Sequence, residues 1–525
     1  ANGRLVKTVD EEGYEILFTY DADGRQTELK NARGYSTAYT YDSCGNLTVI
    51  TDAIGGKTVS VYDANHNLLS VTDAEGYSTR YTYDKLGRVT STTDGNGDVT
   101  RVYYDANGNI VRLTQADGHD ITYTYNARNE LVSYVDAEGY THSFTYDGNG
   151  NVTSETDGNG YTTTYTYDAL NRAIAAKNGE DGISRVVYDA DGRITKVIDE
   201  EGGETSYVYD KDNRLISMTN AEGYSTTFTY DAMDRVVTIT DARNGVTAYT
   251  YTDRGEVATR TDAEGYVVSY EYDGNGNCVK MTTVDGDTLY EYDPLDRLIK
   301  TTTPDGESTS MTYDGVGNIT SATDANGNTT RYKYDGVGNV VETIDALGTS
   351  ALFEYDEMSR LTATRLHRVD TQDNVDEWEV TLYEFDGRGL TTKQVDALGN
   401  VTTYAYDGNG NLVSRTDPDG YTTEYTYNAL DLVTAINYND AKEVSYRYNK
   451  TGDLVSMTDW LGTSTFELDL LHQLTAATDH AGNRVEYTYD GVGNQTEILY
   501  PDGTRAAYEY DLVHNQTKVT ETDGS

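Results

Sequence analysis

Asp147-Gly148-Asn149-Gly150-Asn151 and Asp273-Gly274-Asn275-Gly276-Asn277 place oxygen-bearing side chains at alternate positions, as the start of a calcium loop does. Hard cations take about six to eight oxygen ligands, often from such turns. Asp147, Asn149, Asn151, Asp273, Asn275 and Asn277 are therefore the calcium candidates. Both segments lack the later bidentate glutamate, and their glycines are misplaced for an EF-hand. Asp, Asn and Gly are also the ordinary residues of tight turns, and that simpler reading predicts no bound metal and no cofactor. Catalysis has less to stand on. The histidines at 66, 119, 142, 367, 472, 480 and 514 share no place in the sequence pattern, and none pairs with cysteine at zinc spacing. Ser, Asp and Glu are so frequent that a triad could be drawn anywhere, so no enzyme is expected. A third chemistry is sugar recognition, in which tyrosine platforms beside Asp and Asn act by avidity. Its rival is the packing of the same tyrosines against one another across strands.

Composition narrows the field. The chain has 525 residues and a formal net charge of −48, from 40 basic and 88 acidic residues. That balance argues against nucleic acid, which needs a basic footprint, and against anionic membrane surfaces. No apolar run is long enough to span a bilayer, and the start, ANGRLVKTVD, is no signal peptide. Cys44 and Cys278 occupy different repeat phases and read as free thiols. There are 49 Tyr against 6 Phe and 2 Trp, with 50 Gly and only 4 Pro. Apolar faces that carry so many hydroxyls suit a thin sheet near water on both sides.

The elements that hold these residues come from a repeat. Tyr20, Tyr41, Tyr62, Tyr83, Tyr104, Tyr125, Tyr146, Tyr167, Tyr188, Tyr209, Tyr230, Tyr251 and Tyr272 follow one another at steps of 21. The series continues through Tyr292, Tyr313, Tyr334, Tyr355, Phe385, Tyr406, Tyr427, Tyr448, Leu468, Tyr489 and Tyr510, and the residue after the marker is usually Asp. Self-similarity of this kind overrides the multidomain expectation for such a length. Each repeat reads as two strands and two turns. In 161–168, Tyr161, Thr163, Tyr165 and Tyr167 fall on one face and the intervening residues on the other. The shorter run 152–156 follows the same period, and Gly or Asn supplies the positive φ that the turns demand.

An isolated hairpin is marginal in water, so each must pair with its neighbours, and the marker tyrosines should form a ladder. About 48 strands at ~4.8 Å each would make a flat sheet roughly 230 Å wide, so the sheet should curl into a spiral, tube or shell. The fold class expected is all-β, a single array over 1–525 of about 24 repeats. Within it, 361–382 lengthens one repeat into an extended hairpin, and the single-residue deletions before Tyr292 and Leu468 shorten turns. The terminal stretches carry no cap, which points to further repeats, caps, or end-to-end self-association as partners.

Gly87–Asp94 (GRVTSTTD) with Arg101–Asp105 (RVYYD), and Gly410–Asp417 (GNLVSRTD) with Glu424–Asn428 (EYTYN), resemble the YD repeat of the Rhs and teneurin families. The resemblance runs through essentially the whole chain. It implies a β-sheet that spirals into a large hollow shell. In Rhs and toxin-complex proteins such a shell encloses a toxin, and in teneurins it belongs to a cell-surface adhesion receptor. It also implies a secreted or surface-attached location. The sequence lacks the Asp-Pro-x-Gly-Leu core signature of Rhs shells; Asp417-Pro418-Asp419-Gly420 is an ordinary turn. The reading is a non-catalytic scaffold that encloses a toxin domain, with a surface fibre or glycan-binding adhesin as the alternative.

Overall fold

The structure is a computed structural model that describes residues 3–370, 375–438 and 442–522. The outermost residues of the two terminal stretches discussed above, 1–2 and 523–525, lie outside the described residues. Among the described residues every regular element is a strand, 49 in all, and they belong to one antiparallel sheet. The founding repeat shows how the sequence dictates this. Val152–Thr156 and Thr162–Tyr167 form the short and long strands, with Thr156 opposite Thr162 and Ser154 opposite Thr164. Thr, Tyr and Val suit a pleated, half-buried surface, and exposure alternates residue by residue along Thr162–Tyr167.

Aspartate organises the turns. In Asp157–Tyr161 the Asp157 backbone exchanges bonds with Tyr161 and Gly160, at 2.9 and 3.1 Å. Its Oδ1 also accepts the N–H groups of Asn159 and Tyr161. Gly160 has φ 90°, and the equivalent place elsewhere holds Asn129, Asn171 or His472, all at positive φ. Such left-handed residues close a tight turn without splaying its strands.

A β-bulge precedes the marker. Pairing shifts between Thr166 and Tyr167, between Thr145 and Tyr146, and at the same place in the other repeats. Bulges unpair one residue and increase local twist.

There is little conventional core. Among the described residues the buried hydrophobic ones are Ala363, Val444, Ala476 and Ala506, and no polar residue is buried. Cohesion therefore rests on ladder hydrogen bonds, turn caps and cross-strand pairs.

The lengthened repeat forms the strands Leu361–Asp370 and Val375–Phe385. The hairpin runs past the expected end at 382, because its return strand continues to the marker Phe385. Its tip, 371–374, lies outside the described residues. At the deletions the turns shrink to two residues, with Thr283 opposite Gly286 and Asp459 opposite Gly462.

The array divides into two compact units rather than a uniform row. The first holds Ala1–Thr122, Thr250–Thr259 and Val267–Asn400; the second holds Tyr123–Tyr249, Arg260–Tyr266 and Val401–Ser525. Each joins an early stretch to a late one.

Candidate functional site

The marker tyrosines form a ladder of hydroxyl-to-carbonyl bonds. The Tyr146 hydroxyl donates to Leu131 O at 2.6 Å, Tyr167 to Val152 O at 2.8 Å and Tyr83 to Leu68 O at 2.7 Å. Tyr20, Tyr41, Tyr104, Tyr188, Tyr209, Tyr230 and Tyr272 do the same to the carbonyl 15 residues back. Tyr62, Tyr125 and Tyr251 end equivalent strands. Arginines complete several rungs: Arg88 lies over the Tyr104 ring at 4.5 Å and Arg172 over Tyr188 at 4.4 Å. Burial, with the charge of Glu130, raises the Tyr146 phenol.

The second device is a seam of turns inside each unit. The turn between short and long strand meets a marker turn far along the chain. In the first unit Glu75 Oε1 accepts the Gly315 N–H at 2.7 Å, and Asn96 Oδ1 accepts that of Gly336 at 2.8 Å. In the second unit Glu180 caps Ala429, Glu201 caps Lys450, Glu222 caps Leu470 and Glu264 caps Leu512. In each of these caps the acceptor is the third residue of its turn and the donor the second residue of the other, while the Arg33 and Asn159 N–H groups bond in the opposite sense, to Asn275 and Asn409 Oδ1. Asp157 and Asn409 bond across 252 residues, and the marker tyrosines of their repeats, Tyr146 and Tyr406, lie twelve repeats apart.

Two identical tetrapeptides meet at that point. Asn159 Nδ2 donates to Asp407 Oδ2 at 3.0 Å, and Asn409 Nδ2 donates to Asp157 Oδ2 at 2.9 Å. A Cβ on Gly408 would stand 2.2 Å from Gly158 O, so glycine is required there for space.

Arginines tie the same seam. Arg33 reaches Asp273 and Asp296, Arg254 reaches Asp10 and Glu12, and Arg360 reaches Asp117, all in the first unit. Arg243 reaches Asp490 and the Tyr510 and Asp511 carbonyls in the second.

The calcium candidates sit in marker turns with their carboxylates already engaged by donors. Asp147 Oδ1 accepts the N–H groups of Asn149 and Asn151, and Oδ2 accepts Asn151 Nδ2 at 2.8 Å. The Asn151 side chain is the largest influence holding the Asp147 carboxyl below the usual range. Asp273 Oδ1 accepts the N–H groups of Asn275 and Asn277, whose side-chain amides also donate to Asp296. A cation needs oxygens turned toward it, and here N–H groups occupy those directions. Among the described residues no group of three or more His, Cys, Asp or Glu side chains is placed to hold a metal.

The seven histidines do not converge: His66 bonds Asn46, His142 stacks on Tyr134, and His367 stacks on Trp378 at 4.7 Å. Cys44 and Cys278 are free thiols. A hollow of about 520 Å³ in the first unit is walled by Tyr77, Tyr332 and Tyr334 with Asp314 and Asp335. Asp314 and Asp335 there each accept bonds from their own turns. The seam was not legible as a site from pattern alone. Its signal is the third residue of the linking turn: Glu12, Glu75, Glu138, Glu180, Glu201, Glu222 and Glu264 have no glutamate counterpart in later repeats.

Comparison with known proteins places this architecture. The family model described as RHS Repeat matches residues 1–35, 20–57, 62–99, 104–141, 146–182 and 313–350. The family model described as Teneurin YD-shell matches 183–313 and 349–522, more than half of the chain. No curated protein matches in sequence. Among solved structures, the crystal structure of TcdB2-TccC3-Cdc42 is similar with TM-score 0.66 at 15% identity, over 98% of this chain and 36% of that one. TcdB2-TccC3-TEV gives TM-score 0.67 at 15% identity, over 96% and 38%. TcdB2-TccC3 gives 0.57 at 17%, over 98% and 34%. The chain thus spans little more than a third of the solved chains it matches.

Proposed function

As the chain belongs to the teneurin YD-shell family, we propose that it is a stretch of non-catalytic shell wall whose work is to enclose another polypeptide. The observation that carries this reading is the sheet's unmatched apolar face. Tyr81 with Tyr83, and Tyr165 with Tyr167, line one face and remain half-exposed, while Arg80, Thr82, Thr164 and Thr166 stand out on the other. A two-faced sheet with so little buried apolar area offers a broad aromatic surface for apolar segments of a guest chain. The guest class suggested by the Rhs resemblance is a toxin domain, carried by a protein that acts outside the cell that makes it.

Negative-stain electron microscopy across a concentration series tests the proposal. Closed hollow particles of constant size are expected. Filaments that lengthen with concentration would overturn it in favour of a surface fibre.

A further inference from the structure

The two units fasten their seams with different cations. The first uses Arg33, Arg254 and Arg360, whose guanidinium groups keep their charge at any working pH. The second has Arg243 and, in addition, His472 at 3.6 Å from Asp199 and, more loosely, His514 at 3.9 Å from Asp241. His472 occupies the left-handed position of its turn, φ 64°, where other turns carry Gly, Asn, Asp or Ser and two carry His66 and His514. Its Nδ1 lies 2.6 Å from Asp453 Oδ2 in the preceding marker turn. Its Nε2 lies 3.6 Å from Asp199 Oδ2 across the seam.

The groups around the ring are overwhelmingly acidic. Asp469 belongs to its own turn, Asp453 to the preceding marker turn, and Asp199 and Glu201 to the turn opposite. Glu222 caps Leu470 from the next linking turn, and Lys450 is the one cation in the preceding turn. We propose that protonated His472 is a pH-sensitive clasp, bridging Asp453 and Asp199 to hold the second unit's seam closed.

The titration supports the geometry. The bond to Asp453 raises the His472 imidazole above its ordinary value, with Asp199 and Asp469 contributing charge. Burial alone would raise the Asp453 carboxyl, but bonds from Thr451, Asn449 and His472 hold it low, so it stays ionised as its partner protonates. A histidine raised on folding stabilises fully below its ordinary value and loses that contribution as pH rises through the raised one. The clasp is therefore shut in mild acid and slack in mild alkali. This inference is independent of what the wall encloses.

Hydrogen exchange on the intact chain tests it, because the seam supplies its own reporters. The Lys450 and Leu470 amides donate across the seam to Glu201 and Glu222, beside His472. The Gly315 amide donates to Glu75 in the first unit. After correction for intrinsic rates, exchange at Lys450 and Leu470 should quicken severalfold between about pH 5.5 and about pH 8.5, as loss of one partly exposed ion pair does. Gly315 should show no such change. His472→Asn keeps a residue that tolerates the turn's backbone, and it should flatten the response at Lys450 and Leu470. The proposal is overturned if these amides follow Gly315, or if the variant keeps the pH response.

Discussion

Single glycines decide how closely the turns meet. Gly148 and Gly408 occupy the same place in identical Asp-Gly-Asn-Gly turns, but only Gly408 faces another backbone. A Cβ at 408 would collide with Gly158 O, whereas one at 148 has nothing within 4 Å. Gly408→Ala should cost about 1–3 kcal/mol, as overpacking against an immovable backbone does. Gly148→Ala should stay within about 0.5 kcal/mol. Urea titration of the two variants makes the comparison, and equal losses would mean that the close approach at Gly158 does not matter. At this scale the sequence was half legible. Asp147 and Asp273 were readable as turn residues, because Asp, Asn and Gly have strong local preferences. Contacts across the seam, such as Asn159 to Asp407, were not, because an asparagine that caps its own turn looks the same as one that reaches another.

At the level of the strand, local pattern carried nearly everything. The strand Val152–Thr156 has the limits read from alternation, and the two deletions produce two-residue turns. The bulge before each marker left no comparable sign, since Thr-Tyr continues the alternation that the bulge interrupts. The long hairpin is the exception to uniformity. Leu366 pairs with Ala351 on the neighbouring strand and Leu382 with Val395, while farther out the two hairpin strands pair only with each other. Trp378 is 42% exposed there. Replacing 367–378 by Asn-Gly should therefore move the melting temperature by less than about 2 °C. Calorimetry checks this, and a larger fall would show that the projection braces the wall.

Across the whole molecule, stability is not simply a sum over adjacent repeats. A one-dimensional array should tolerate loss of a unit, because each repeat contacts only its neighbours. Here the N–H caps of the seam also depend on an offset of twelve repeats between linking turn and marker turn. Removing 314–334, one 21-residue step, leaves the strands free to pair again but puts each later turn one place out. The variant should melt lower and lose exchange protection at the Ala429, Lys450 and Leu470 amides; unchanged protection would mean that the seam can slip. This offset was invisible in the repeats because any multiple of 21 aligns them equally well. Only the change from glutamate to other residues in the third turn position marks which turns are covered. The same offset sets a schedule during synthesis. Gly315 lies 240 residues after Glu75, so at about 5–20 residues per second the ribosome delivers that partner roughly 12–50 s late. For that interval the early sheet waits with its acidic turns unanswered, exposed to any chaperone that arrives before the second half.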